Sequence, residues 1–274
     1  MAFERDKSII LLKCLENCII ILTLICIKEH KALPYVISLI CLLAFYVCVI
    51  ANMKRMKNTK LFNCLFSIAI FLCYLYVVIK VYSSVGFYEW NFQNTLPVAN
   101  VSPFMFTLVG IIHFLPLKMK KPLYLLISLL SVGMLFATIF GCIYNAYINY
   151  KFHLHFISDY LAHILLSLWG VYIIKSQQVE LNKKNALISA SIIIGVALVM
   201  MVLNVIFDTA FFGLSLNGKH NIYNVVLTDN SYLSALLYFL GFSFVLGLGY
   251  IYSYCLSPKK RSDNSIKRHN QRKT

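Results

Sequence analysis

Apolar residues fall along this chain in blocks of roughly 20, separated by short polar stretches where lysine and arginine collect. The blocks run over approximately residues 8–27, 34–53, 61–83, 96–117, 122–143, 155–175, 186–207 and 233–255. They lack the period-two alternation of barrel strands. At a rise of about 1.5 Å per residue, such a block matches a hydrocarbon layer about 30 Å thick. Inside that layer every backbone N–H and C=O must be paired within the protein, so each block predicts a helix. The expected fold is all-α, a polytopic membrane bundle of about eight transmembrane helices. It forms one domain over residues 1–257, followed by a basic tail, 258–274, expected to be disordered. Pro34, Pro97 and Pro122 fall at or near block starts, where a missing N–H costs least. Pro116 lies near the end of the fourth block and Pro258 just beyond the last.

Charge orients the bundle. Arg5 and Lys7 precede the first block; Lys54, Arg55, Lys57 and Lys60 follow the second; Lys118, Lys120 and Lys121 follow the fourth. Lys175, Lys183 and Lys184 follow the sixth, and Lys259, Lys260, Arg261, Lys267, Arg268, Arg272 and Lys273 make up the tail. These nineteen face five on the other side, Lys28, Lys31, Lys80, Lys151 and Lys219, with Lys13 inside the first block. The excess predicts that both termini are cytoplasmic in a multi-pass protein of the cell membrane. Adding or skipping one helix would scramble the alternation.

Composition changes this picture little. Of 274 residues, 60% are hydrophobic and 13% charged, with a mean hydropathy of +0.75, more apolar surface than one soluble core could bury. A net charge of +15 and a pI near 9.4 could suggest nucleic acid. The charge lies in loops and tail, however, so no nucleic-acid partner is expected. The tail is expected to be drawn to anionic lipid headgroups, or to serve only as a topology determinant. Nine cysteines lie in or beside apolar blocks without a C-x-x-C pair, which reads as packing rather than disulfide or zinc chemistry. The first block carries Lys13 and Glu16 and lacks a small-residue cleavage site, so a retained helix is expected rather than a signal peptide. Lys13 and Glu16 can pair, or Lys13 can snorkel to the surface. Two outward segments are longer, 84–95 with Tyr88, Glu89 and Trp90 as an interfacial anchor, and 208–232 with the turn signal Asn217-Gly218. Ser191 with Gly195, and Ser243 with Gly247, read as helix-packing seams.

Ionisable groups at membrane depth are functional candidates because burying them is expensive. The sixth block offers His155, Asp159 and His163, spaced by four and therefore within an arc of about 80° on one helix face. His163 lies about 12 Å below His155 along the axis. Asp159 could hold an imidazole in one tautomer and raise its basicity. Asn204 and Asp208 on the seventh block, and Asn100 and Ser102 on the fourth, stand at similar depth and are expected substrate-binding partners together with His155. The expected site is a polar cavity opening outward between the fourth, sixth and seventh helices. The alternative is that these groups only glue helices together. His113 lies at another depth and is not expected to join the site. The glycosylation pattern Asn100-Val101-Ser102 falls inside a membrane block and is discarded.

The opening Leu96-Pro97-Val98, the run Phe152-His153-Leu154-His155-Phe156-Ile157-Ser158-Asp159-Tyr160-Leu161-Ala162-His163, and Asn204 followed by a long outward segment resemble the YwaF-like family of bacterial membrane proteins, related to animal transmembrane protein 164. The resemblance covers residues 85–255 and implies a lipid acyltransferase scaffold using a Cys and a His, with His163 matching the histidine. The family's Leu-Pro-Leu-x-x-Cys pattern places Val101 where the cysteine belongs, and Val101 is no nucleophile. Ser102 is adjacent but turned by about 100° on a helix.

The expected function is therefore lipid handling, an acyltransferase or hydrolase acting on membrane lipids, with His163 as general base and Asp159 as its orienter. No cofactor motif is present, and a zinc site on His155, Asp159 and His163 ranks lower because one helix stretches these ligands too far apart. The rivals are a transporter or binder of a small or lipidic molecule using the same cavity, and an assembly factor that packs on a partner.

Overall fold

The computed structural model describes residues 32–85, 101–147, 153–207, 212 and 231–257, and all its described regular structure is helical. The long helices are α1 (Leu33–Asn52), α2 (Thr59–Val85), α3 (Val101–Ile111), α4 (Leu117–Tyr147), α5 (Leu154–Lys175), α6 (Lys183–Phe207) and α7 (Ser231–Leu256). Six of them, all but α3, are long and apolar enough to cross a membrane by length and composition. The first apolar block with Lys13 and Glu16, Pro97, Asn100, Asp208, the Asn217-Gly218 turn, the 84–95 anchor beyond Val85 and the basic tail lie outside the described residues.

Two boundaries differ from expectation. The fourth block's helix ends as a 3₁₀ turn, Ile112–Phe114, because Pro116 drives Leu115 into an extended conformation (φ −78°, ψ 150°). The next helix then starts at Leu117, five residues before Pro122, with the amides of Met119 and Lys120 bonded to the Pro116 carbonyl at 2.9 and 3.1 Å. Pro122 sits inside that helix, in its basic early turns beside Lys118, Lys120 and Lys121.

Helix α5 is the axle of the bundle. It packs along α4 and α2, then α1 and α7, with a small contact to α3, whereas α6 rests chiefly on α4. Close approach is built from small residues. A side chain at Gly170 would stand 2.7 Å from the Ile127 carbonyl and 2.8 Å from Ser131 Cβ, and one at Gly249 would overlap the Leu129 carbonyl. Ser128 Oγ donates to the Gly170 carbonyl (3.1 Å), and Ser253 Oγ donates to the Ser128 carbonyl (3.3 Å), so α4, α5 and α7 meet at one point. Nearby, the Tyr46 hydroxyl hydrogen-bonds Ser167 (3.1 Å) and Tyr252 (3.3 Å), tying α1 to α5 and α7. The expected seams at Gly195 and Gly247 are not close-packed: among the described residues, no neighbouring atom stands within 4 Å of a Cβ position at either glycine.

The basic ends of the helices are locked by a second polar knot. Trp169 Nε1 donates to Asn63 Oδ1 (2.9 Å), Asn63 Nδ2 to Gln178 Oε1 (2.6 Å), and Tyr172 to the Met56 carbonyl (3.0 Å). Gln178 reaches Asn63 because α5 closes with paired bonds, Gln177 N to the Ile174 carbonyl and Gln178 N to the Ile173 carbonyl, both 3.1 Å. That closure puts Gln177 in the left-handed region at φ 55°, where glycine is usual. Met53–Arg55, Lys120 and Lys183 therefore gather at one end of the bundle, as the alternation of basic loops predicts.

Candidate functional site

The half of α5 away from the basic end carries the candidate chemistry. Tyr160 fixes it against α4: its carbonyl accepts from Thr138 Oγ1 (3.4 Å), its hydroxyl accepts from Asn145 Nδ2 (2.5 Å), and its ring lies 3.1 Å from where Gly141 would carry a side chain. On the opposite side Ser158 Oγ donates to the Cys73 carbonyl of α2 (3.0 Å). Asp159 and His163 are thus held by their neighbours in sequence.

His163 is 8% exposed, and its ring meets Phe106 edge-on at 5.0 Å between centroids. Its Nδ1 stands 2.8 Å from the main-chain carbonyl of Asp159 and 3.7 Å from the Asp159 carboxylate. A carbonyl only accepts, so Nδ1 carries the proton and the neutral ring has its lone pair on Nε2. Asp159 was expected to orient the imidazole through its side chain. Its backbone carbonyl makes the hydrogen bond instead, because a side chain four residues along a helix lies over that carbonyl, whose second lone pair is open beside the helical bond. The carboxylate stands 3.7 Å away, an ion pair only when the imidazole is protonated, and remains about a third exposed.

His163 and Asp159 line a cavity of about 470 Å³ with Val101, Ser102 and Pro103 of α3. Leu130, Gly133, Met134 and Ala137 of α4 and Tyr238, Phe242 and Val245 of α7 complete it. Three of the expected residues, Ser102, Asp159 and His163, therefore share one space, across α3 and α5. Among the described residues, Ser102 Oγ has only a long contact to Met134 Sδ, 3.7 Å. Val101 lines the same space.

The walls differ from those expected. The third wall is α7 rather than the seventh block, since α5 packs against α4 and α7 and leaves α6 outside. Asn204, on α6, is buried but does not line the cavity. His155 also lies outside it, stacked on His153 (5.3 Å between centroids) and tilted against Phe156 (4.4 Å) near the start of α5. His113 stacks on Trp169 at the basic end, away from His163. Among the described residues no three His, Cys, Asp or Glu side chains gather as a metal site.

Sequence reasoning missed Met134, Tyr238 and Phe242. One usable signal was Gly133 with Ala137, a small pair four apart on α4. A side chain at Gly133 would strike Val245 at 2.6 Å, so this pair sets how near α7 comes.

The fold is a helical bundle with six candidate membrane spans, which fits a multi-pass membrane protein. No family model, curated protein or solved structure matches the chain.

Proposed function

We propose that this protein is a lipid acyltransferase or hydrolase of the cell membrane, spanning it about eight times with both termini in the cytoplasm, and that His163 is its general base. One observation carries the reading: Nδ1 of His163 is occupied by the Asp159 carbonyl, in a cavity that also holds the Ser102 hydroxyl. The neutral ring then has one basic nitrogen, Nε2, fixed by a backbone partner that cannot itself titrate. Nε2 takes the proton of a hydroxyl, from water or an acceptor lipid, as its oxygen attacks an acyl carbonyl, and returns it to the departing alkoxide. Asp159 stabilises the imidazolium formed in between. The apolar part of the wall, from Leu130, Met134, Phe242 and Val245, suits an acyl chain beside a polar part that suits an ester, to which Ser102 offers a hydrogen bond. The likeness to the YwaF-like family belongs to the same proposal: His163 stands at the matching histidine, and Val101 replaces the cysteine, which favours direct transfer to a hydroxyl over a thioester intermediate.

The test compares acyl-chain profiles of lipid extracts from cells expressing wild type, His163→Ala, Asp159→Ala and Ser102→Ala. A wild-type change lost in His163→Ala and weakened in the other two is the expected result. Identical profiles in all four would overturn the enzyme reading and leave the cavity to a transported or bound molecule. For topology, a tag at Gly218 reached only from the cytoplasm would refute the proposed orientation.

A further inference from the structure

On the other side of α7 from the His163 cavity runs a second hollow of about 390 Å³, between α6 and α7 with Leu129 of α4 at its floor. Lys183, Ala186, Ala190 and Ile194 form one wall, and Ser243, Gly247 and Tyr250 part of the other. Small residues on facing helices usually let the backbones touch. Here they do not. Helices α6 and α7 make little mutual contact, and a side chain on Gly247 would find nothing within 4 Å among the described residues. The small side chains hollow out a groove instead of closing a seam.

The groove has chemically unlike ends. Its lining is apolar apart from Ser243, the Tyr250 hydroxyl and one charge, Lys183, at the basic end of the bundle. Along α6 it extends from Lys183 to Ile194, about 16 Å at the helical rise. That is close to half of an apolar layer about 30 Å thick, the depth of one leaflet. An open apolar trough of this length, with an ammonium at the headgroup level, is complementary to an anion joined to an aliphatic chain.

We propose that the groove between α6 and α7 binds one acyl chain of an anionic glycerophospholipid, with its phosphate at Lys183. Helix α7 separates this lipid from His163, because Tyr238, Phe242 and Val245 face the cavity while Ser243, Gly247 and Tyr250 face the groove. The bound lipid fills the gap beside α6 and is not the substrate of the cavity. The inference therefore stands apart from the catalytic proposal.

The full chain, purified in mild detergent, is incubated with equal amounts of phosphatidylglycerol and phosphatidylcholine bearing the same chains. Excess lipid is removed by gel filtration and retained lipid is weighed by mass spectrometry. Wild type should retain phosphatidylglycerol about fivefold over phosphatidylcholine, the preference expected of one lysine near an anionic group. Lys183→Gln should bring the two to parity, and Gly247→Leu and Ala190→Leu, which fill the trough, should release both. His163→Ala should retain lipid as wild type does, so the two proposals fail separately. Absence of a headgroup preference in wild type, or full retention in both filling variants, overturns the assignment. So does a disulfide between Gly247→Cys and Cys14 or Cys18, which would put the first apolar block in the groove.

Discussion

Helices α5 and α6 invert the rule of soluble proteins. Over its membrane window α5 has a mean hydropathy of 1.5, the lowest of the six candidate spans, yet 78% of that window is buried in the protein. Helix α6 has the highest, 2.7, and only 22% is buried. In water the more apolar helix would be the hidden one. In lipid the solvent is as apolar as leucine, so hydropathy marks what a helix shows to its surroundings, and polar groups are what gain from being enclosed. Helix α5 carries Asp159, His163, Ser167, Trp169 and Tyr172 because other helices receive them. Helix α6 turns Val199, Val202, Val205 and Ile206 outward, each about half exposed or more.

Substitutions can break this contrast. The largest expected effect is functional: His163→Ala should lower the proposed lipid-modifying activity by about 10²–10⁴-fold, the usual worth of a general base. Its thermal unfolding should shift little, and an unchanged rate would remove the helix's claim to chemistry. Next comes size. Gly170→Leu on α5 should destabilise by about 3 kcal/mol because its side chain meets α4 backbone, whereas Val199→Leu on α6 should stay within about 0.5 kcal/mol. Equal melting points for the two would show that α5 is not the packed axle. Polarity should reverse that order: Val199→Lys should cost about 2.5 kcal/mol in a membrane-insertion assay.

A smaller effect belongs to the basic-end knot. Trp169→Phe keeps an aromatic ring but removes the shorter of the two donors to Asn63 Oδ1, leaving the 3.3 Å bond from Gln178 Nε2, at a cost of about 1–2 kcal/mol in denaturant unfolding. The smallest is favourable. Gln177→Gly should stabilise by about 0.5–1 kcal/mol, since glycine accepts the left-handed conformation without a Cβ clash. A destabilisation there would mean that the Gln177 side chain contributes more than its backbone strain costs.

Much of this was legible before any coordinates. The blocks at 34–53, 155–175 and 186–207 each lie within about three residues of a described helix, because a membrane block must be long and apolar wherever it packs. The convergence of Ser102, Asp159 and His163 was legible too, since polar residues at matching depth have few other places to go. The third wall was not. Tyr238, Phe242 and Val245 of α7 are apolar or amphipathic, as is Met134 of α4, and nothing in a hydrophobic residue says whether it faces lipid, a neighbour or a void. For the same reason Asn204 was assigned to the cavity: depth is a coordinate along one helix, while membership of a cavity depends on which helices are adjacent. The start of α4 was misplaced because Pro122 looked like a helix opening, and Pro116 supplies the first acceptor instead.

The bond between Asn63 and Trp169 also sets an order of events during synthesis. Its partners are 106 residues apart, and Gln178 follows Asn63 by 115. At about 5–20 residues per second, α2 waits on the order of 5–20 seconds for the groups that satisfy its amide. Asn63 is the fifth residue of α2, one turn from the basic end, where headgroups and water can serve it meanwhile. When α5 arrives, the tryptophan and the glutamine take over that role and the interface loses its hold on α2. The knot is thus a timer as well as a lock: it cannot close until Gln178, just past α5, has been made.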